Sequence, residues 1–250
     1  MKAKAKDQLL GNYGIATGSF ALLFVLTYSV MILITGALSA GNPTALAERG
    51  VLFHIETQLL GAAAGALLAV LTVGYLNILK QISEGKSPTI SELFFVFRNH
   101  PDKVIIVSLV MTLSQVILLL PATLVGTPVT SAQPADIDGK RFLTYVVLYL
   151  LGLIISFLIE LMLAMAYLIY LDDPETGAVD LMKQSISMMK GNKFRYFYMM
   201  LSFIGYWLLV ILSLGVAALW IFPYQNMTMV EFYKDLREGG SNSYARVEEL

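Results

Sequence analysis

The chain has 250 residues, 57% of them apolar and only 14% charged, with a mean hydropathy of +0.69 and a net charge of −1. A soluble domain carries roughly a quarter charged residues, so a water-soluble globular domain is excluded. Near-neutral charge with no basic stripe interleaved with aromatics excludes nucleic acid as a partner, and the lack of cysteine removes disulfides, thiolate nucleophiles and thiolate metal sites.

In chain order, a short amphipathic or basic segment leads three times into two long apolar runs. The first segment, 2–13, carries Lys2, Lys4 and Lys6 and a weak apolar face of Leu9, Leu10 and Tyr13. The run after it, 15–38, exceeds the ~7–15 apolar residues of a signal peptide and is read as an uncleaved spanning helix. Gly41-Asn42-Pro43 is turn chemistry, and a second spanning helix is expected over 51–79.

The second segment, 89–99, opens with Thr89 and Glu92 at capping-box spacing. Ile90, Leu93, Phe94 and Phe97 then form one apolar stripe at helical spacing, on a helix too short to span. Spanning helices are expected over 104–124 and 142–171, joined by a loop rich in Pro, Thr, Asp and Gly. The third segment, 176–190, follows the acidic Asp172-Asp173-Pro174-Glu175, which suits a helix N-terminus. Ala178, Leu181, Met182, Ser185, Met188 and Met189 make one face; Asp180, Lys183, Gln184, Ser187 and Lys190 make the other. Gly191-Asn192 is a C-terminal stop.

The last apolar stretch, 194–223, reads either as one tilted helix or as helices 194–212 and 216–233 joined by a turn at Ser213-Leu214-Gly215. Charge decides. With six helices, Lys2, Lys4, Lys6, Lys80, Lys86, Arg98, Lys103, Lys183, Lys190, Lys193, Arg195, Lys234, Arg237 and Arg246 share one side, leaving Arg49, Lys140 and Arg141 opposite. A five-helix chain moves Lys234, Arg237 and Arg246 across. The positive-inside rule therefore favours six helices with both termini cytoplasmic. The fold class expected is all-α: a polytopic membrane protein, its six helices forming three hairpins, each preceded by a short cytoplasmic-side helix. One membrane domain covers 1–237 and a flexible cytoplasmic tail covers 238–250. The sixth helix is weak alone, because Pro223, Gln225, Asn226, Thr228 and Glu231 must be satisfied by neighbours; a kinked internal helix is expected, with a re-entrant segment as the alternative.

Several motifs resemble the signature of an uncharacterised bacterial integral-membrane family, domain-of-unknown-function family 975. They are Leu10-Gly11-Asn12-Tyr13, Asp172-Asp173-Pro174, Met188-Met189-Lys190-Gly191-Asn192-Lys193, Leu201-Ser202-Phe203-Ile204-Gly205, Leu219-Trp220-Ile221-Phe222-Pro223-Tyr224 and Glu231-Phe232-Tyr233-Lys234-Asp235-Leu236. The resemblance covers nearly the whole chain and is most specific in the last third. It implies six membrane helices, similar to the membrane domains attached to some glycerophosphodiester phosphodiesterases. It implies no activity and no catalytic residue.

Glu160, in the apolar run Leu158-Ile159-Glu160-Leu161-Met162, is the sharpest candidate: an ionised carboxylate there needs a partner or a wet cavity. Gln115, Gln225 and Asn226 complete a candidate intramembrane polar site, each also readable as interhelical glue. Gly61 and Gly65 suit close helix packing within the chain more than a dimer seam. His54 and Glu56, two residues apart, do not share a helix face and make an interfacial pair rather than a metal site. No metal, cofactor or catalytic group is expected, and no enzyme motif is present. The function expected is a non-enzymatic accessory, scaffold or regulatory membrane component, whose partners are the bilayer and another membrane protein. The alternative is a small transporter or channel-like protein using Glu160. An intramembrane lipid enzyme would need acids or hydroxyls clustered at headgroup depth.

Overall fold

The computed structural model describes residues 1–39, 50–131 and 138–248, and every regular element among them is helical. In chain order these are α1 (Lys2–Leu9), α2 (Tyr13–Ser39), α3 (Gly50–Ser83), a 3-10 turn (Ile90–Phe94) running into α4 (Phe95–Arg98), and α5 (Pro101–Ser131). Then come α6 (Gly139–Leu163), α7 (Ala166–Asp172), α8 (Ala178–Met189), α9 (Lys193–Leu201), α10 (Ile204–Leu212) and α11 (Ala218–Glu248). Five stretches are long and apolar enough to cross a membrane: Tyr13–Ile34, Ile55–Ser83, Pro101–Gly126, Gly139–Asp172 and Lys193–Leu212. At ~1.5 Å per residue, the shortest of them is about 30 Å long.

Boundaries depart from the sequence reading in instructive places. The helix expected over 142–171 is broken between α6 and α7, and the one over 194–212 between α9 and α10. Both breaks receive polar groups from short helices, described below. The turn at Ser213-Leu214-Gly215 is present: Leu214 and Gly215 have φ of 53° and 92°, the Gly215 N–H donates to Val210 O at 2.8 Å, and Ser213 Oγ accepts from the Ala217 N–H at 2.9 Å. The residues expected as a sixth span begin α11, which is not among the five apolar stretches and continues as helix to Glu248, past the 238 boundary expected for a tail. The Gly41-Asn42-Pro43 turn and Arg49 lie outside the described residues.

The chain divides into two compact units. The first comprises Met1–Leu26, Ala69–Val104 and Leu161–Leu250; the second, Thr27–Leu68 and Ile105–Glu160.

In the first unit, α1 packs on α11, α7 on α8, and α10 on α11. Its core includes Tyr75, Ile78, Leu79, Met165, Leu168, Tyr170, Phe203 and Phe232, all essentially inaccessible. An aromatic ladder joins α10 to α11: Phe203 and Tyr206 meet Tyr224 at 5.2 and 5.8 Å, and Trp207 meets Phe222 edge-on at 5.1 Å.

In the second unit, helices meet at glycines. A side chain at Gly152 would overlap Leu118 and Leu119, and one at Gly126 would overlap the Tyr145 ring. Its outer faces are apolar and uncovered, as at Leu33, Ile117 and Leu143.

Candidate functional site

Each short segment ends in the same turn. Asn12, Asn99 and Asn192 each donate from Nδ2 to the carbonyl four residues back (Gln8, Phe95 and Met188) at 3.1, 2.9 and 3.2 Å. Their backbone N–H groups each reach the carbonyl three back, on Leu9, Val96 and Met189. Those three residues are fully buried. A residue in the left-handed region completes the turn: Gly11 and Gly191 before the asparagine, His100 after it. The threefold pattern read from the sequence is thus a repeated backbone motif.

Each segment is then seated on another helix. Ser185 of α8 enters the break between α6 and α7, where its hydroxyl donates to Met162 O at 2.9 Å and accepts from the Met165 N–H at 3.2 Å. Lys2 of α1 reaches the break between α9 and α10, donating to Ser202 O at 2.8 Å with its ammonium 4.0 Å from the Phe203 ring centre. The 3-10 turn presses its Leu93 carbonyl onto Gly74 of α3, where a side chain would overlap it.

The capping box expected at Thr89 and Glu92 does not form. The Thr89 hydroxyl meets Ser91 at 2.6 Å, and the Glu92 carboxylate accepts from Asn77 and Gln81 of α3 at 3.2 and 3.3 Å. Tertiary donors replace the local one. The apolar stripe divides: Leu93 and Val96 are buried, while Ile90, Phe94 and Phe97 are exposed. On α8, by contrast, Ala178, Leu181, Ser185 and Met189 are buried while Asp180, Lys183, Gln184, Ser187 and Lys190 are exposed, as the sequence indicates.

The C-terminal ends of α3 and α7 meet the middle of α11 in a charged hub. Asp172 accepts from Lys80 at 2.5 Å and also from Arg237 and the Tyr233 hydroxyl; Lys80 donates as well to Leu171 O at 2.8 Å. Glu231, 2% exposed, pairs with Lys4 of α1 at 2.8 Å and lies 3.8 Å from Lys234. Lys234 donates to Ser83 O, which also accepts from Gln8. A carboxylate so enclosed needs those cations. The Glu231 hydrogen bond and charge raise the Lys4 pKa, whereas burial lowers that of Lys2. Lys103 caps Pro174 O at 2.6 Å, and Arg195 binds Asp235 at 2.7 Å.

None of these hub residues figured among the sequence candidates. Asp172, Glu231, Tyr233 and Lys234 do lie in the motifs that carry the family resemblance, and that was the available signal.

None of the four sequence candidates is a hub residue. Gln225 donates to Met200 Sδ at 3.6 Å and Asn226 to Phe222 O at 2.9 Å, both in the first unit. Gln115 lines a groove of about 310 Å³ in the second unit, with Gln58, Gly61 and Thr112. Glu160 is exposed on α6, two residues before the carbonyl that Ser185 binds, and does not line that groove. Gly61 faces open space and Gly65 meets Thr112 at 4.0 Å. Glu56 is exposed, and the His54 side chain lies outside the described residues.

Two further grooves flank the repeated turns. One of about 230 Å³ is walled by Lys6 and Tyr13 on the first turn and by Tyr206, Trp220, Ile221 and Tyr224. The other, about 550 Å³, is formed by Lys183, Ile186, Ser187, Lys190 and Lys193 around the third turn.

Fold and hub together define an all-α protein with several helices of membrane-spanning length and polar short segments anchored on their ends. Over residues 1–239 the chain matches the model of the family described as "Protein of unknown function (DUF975)", and it belongs to that family. No curated protein and no solved structure matches it.

Proposed function

We propose that the chain is a multi-pass bacterial cell-membrane protein of six spans in three hairpins, both termini cytoplasmic, acting as a non-enzymatic accessory, scaffold or regulatory component. The observation that carries this reading is the seating of all three short segments on longer helices, through Lys2 and Lys4, Glu92 and Leu93, and Ser185. Such anchoring makes a stiff polar shelf, which suits holding a partner or headgroups in register.

The sixth span is supported by charge placement. Lys234 and Arg237 share the hub with Lys80 and Lys4, which the charge count puts on the cytoplasmic side. Its polar residues find partners on α11 itself and on α9: Thr228 bonds Tyr224 O at 2.8 Å, Asn226 bonds Phe222 O and Gln225 reaches Met200.

Photo-crosslinking from Gln184 and Ile90 in native membranes tests the function. A single specific protein or lipid adduct is expected; adducts scattered in proportion to abundance would remove the reading's support. The transporter alternative predicts proteoliposome flux abolished by Glu160→Gln. Because the chain has no cysteine, single cysteines at positions 6, 140 and 238 report topology directly: impermeant reagent in intact cells should label only position 140.

A further inference from the structure

We infer that the lysine groove at the third turn is a binding site for the phosphate of an anionic phospholipid headgroup. This rests on the membrane placement proposed above and deepens it by naming a ligand class for one part of the shelf.

The first and third turns carry grooves at equivalent positions. Counting from the turn asparagine, the residue six before and the residue one after line both: Lys6 and Tyr13 about Asn12, Ile186 and Lys193 about Asn192. At the first turn the groove is closed by aromatic side chains of α10 and α11. At the third it is lined by α8, α9 and the turn alone, and aromatic closure gives way to three lysines and a hydroxyl. Lys183, Lys190 and Lys193 stand where the first turn has Ala3, Leu10 and Tyr13. The basic groove is therefore particular to the third turn and not a general property of the repeat.

Three features define its occupant. The lysines are free to take an anion: Lys190 and Lys193 have no carboxylate within ion-pair reach among the described residues, and Lys183 has only exposed Asp180 at 3.5 Å. Arg195 beside them is instead committed to Asp235. The groove also sits where a membrane span begins, since Lys193 is the first residue of the apolar stretch Lys193–Leu212. Finally, Phe194 and Tyr198 are 86% and 76% exposed on the first turns of α9, as aromatics at a bilayer interface are. A phosphate among the lysines places acyl chains along that apolar face, whereas a soluble anion leaves it uncovered. The volume of about 550 Å³ is of headgroup size.

The test uses the full chain in vesicles of equal phosphatidylglycerol and phosphatidylcholine, each spin-labelled in turn, reading the fraction of motionally restricted lipid. A preference for phosphatidylglycerol of about tenfold is expected at low salt, since lysines at a membrane surface attract anionic headgroups and salt screens that attraction. Replacing Lys183, Lys190 and Lys193 together by Gln should reduce it to about twofold; replacing them by Arg, or replacing Lys140 and Arg141 by Gln, should leave it. If the triple Gln variant fails to fold, Lys190→Gln and Lys193→Gln singly should each lose part of it. Equal preference in the Gln variants, or its loss on adding inorganic phosphate, overturns the site. Release of the chain from vesicles by alkaline carbonate overturns the membrane placement itself, an outcome separate from retention without lipid preference.

Discussion

The two compact units are held together by different physics. The first is dense with charge: Asp172 with Lys80 and Arg237, Glu231 with Lys4, and Arg195 with Asp235. The second holds its helices by close approach at Gly126 and Gly152 and presents long apolar faces outward. On the membrane placement proposed above, no hydrophobic drive pulls helices together in hydrocarbon, so close packing and small residues must do it, as in the second unit. Where short polar segments end at an interface, ion pairs become affordable and set geometry, as in the first. The contrast teaches where the chain is specified tightly and where it is specified loosely.

The largest effect should come from the hub. Asp172→Asn leaves the largely buried Lys80 ammonium without its carboxylate, at a cost of about 3 kcal/mol. Both tryptophans, Trp207 and Trp220, lie in the first unit, so their fluorescence in detergent reports its melting directly. A drop of ~8 °C is expected. Gln115→Leu, the matching removal of a polar group from the second unit, should change melting little. Equal effects from the two would erase the distinction between the units.

Next comes Gly74→Ala. Its methyl would overlap the Leu93 carbonyl, which is backbone and cannot swing aside, so ~2 kcal/mol of strain is expected. Gly61→Ala, facing open space, should be neutral or slightly stabilising through better helix propensity. Ser185→Ala follows at about 1–2 kcal/mol, because the half-buried Met162 carbonyl and the buried Met165 N–H lose their bridge. Hydrogen exchange at Met165 should rise in that variant, and unchanged protection would show the break to be held by other contacts.

These sites also mark the limits of sequence reading. Hydropathy made the five apolar stretches legible, and the 3.6-residue period gave the inner face of α8, where Ala178, Leu181, Ser185 and Met189 are buried and Met182 and Met188 half-buried. The turn at Ser213-Leu214-Gly215 followed from charge counting. What stayed hidden depended on pairing between distant segments. Ser185 looks like one polar residue on an apolar face until Met162 and Met165 are seen to lack a continuous helix. Glu92 looks like a cap until Asn77 and Gln81 approach it. Glu160 drew attention because a carboxylate in an apolar run is conspicuous in one dimension. Asp172 read as an acid suited to a helix N-terminus and Glu231 as a polar residue that neighbours must satisfy, and only in three dimensions do their cations converge.

The smallest expected effect isolates α1. Glu231 raises the Lys4 pKa by hydrogen bond and charge, with Glu238 and Asp235 adding to it. A lysine whose folded pKa lies above its unfolded one stabilises the fold fully below the unfolded value, near pH 10. That stabilisation is lost as pH rises through the folded value. Lys4 is 57% exposed, so solvent screening keeps the gain within ~1 kcal/mol. Lys2 acts in the opposite sense, since burial lowers its pKa and deprotonation relieves the folded state. The two must therefore be separated by variant. Hydrogen exchange of the α1 amides, corrected for the intrinsic rise with pH, should lose protection between pH 9 and 11 in the unaltered chain, and Lys4→Gln should have lost it already at pH 9 with no further change. A Lys4→Gln chain that keeps the same pH profile would show that α1 is held on α11 by its buried Ala5 and Leu9 and not by the Glu231 pair.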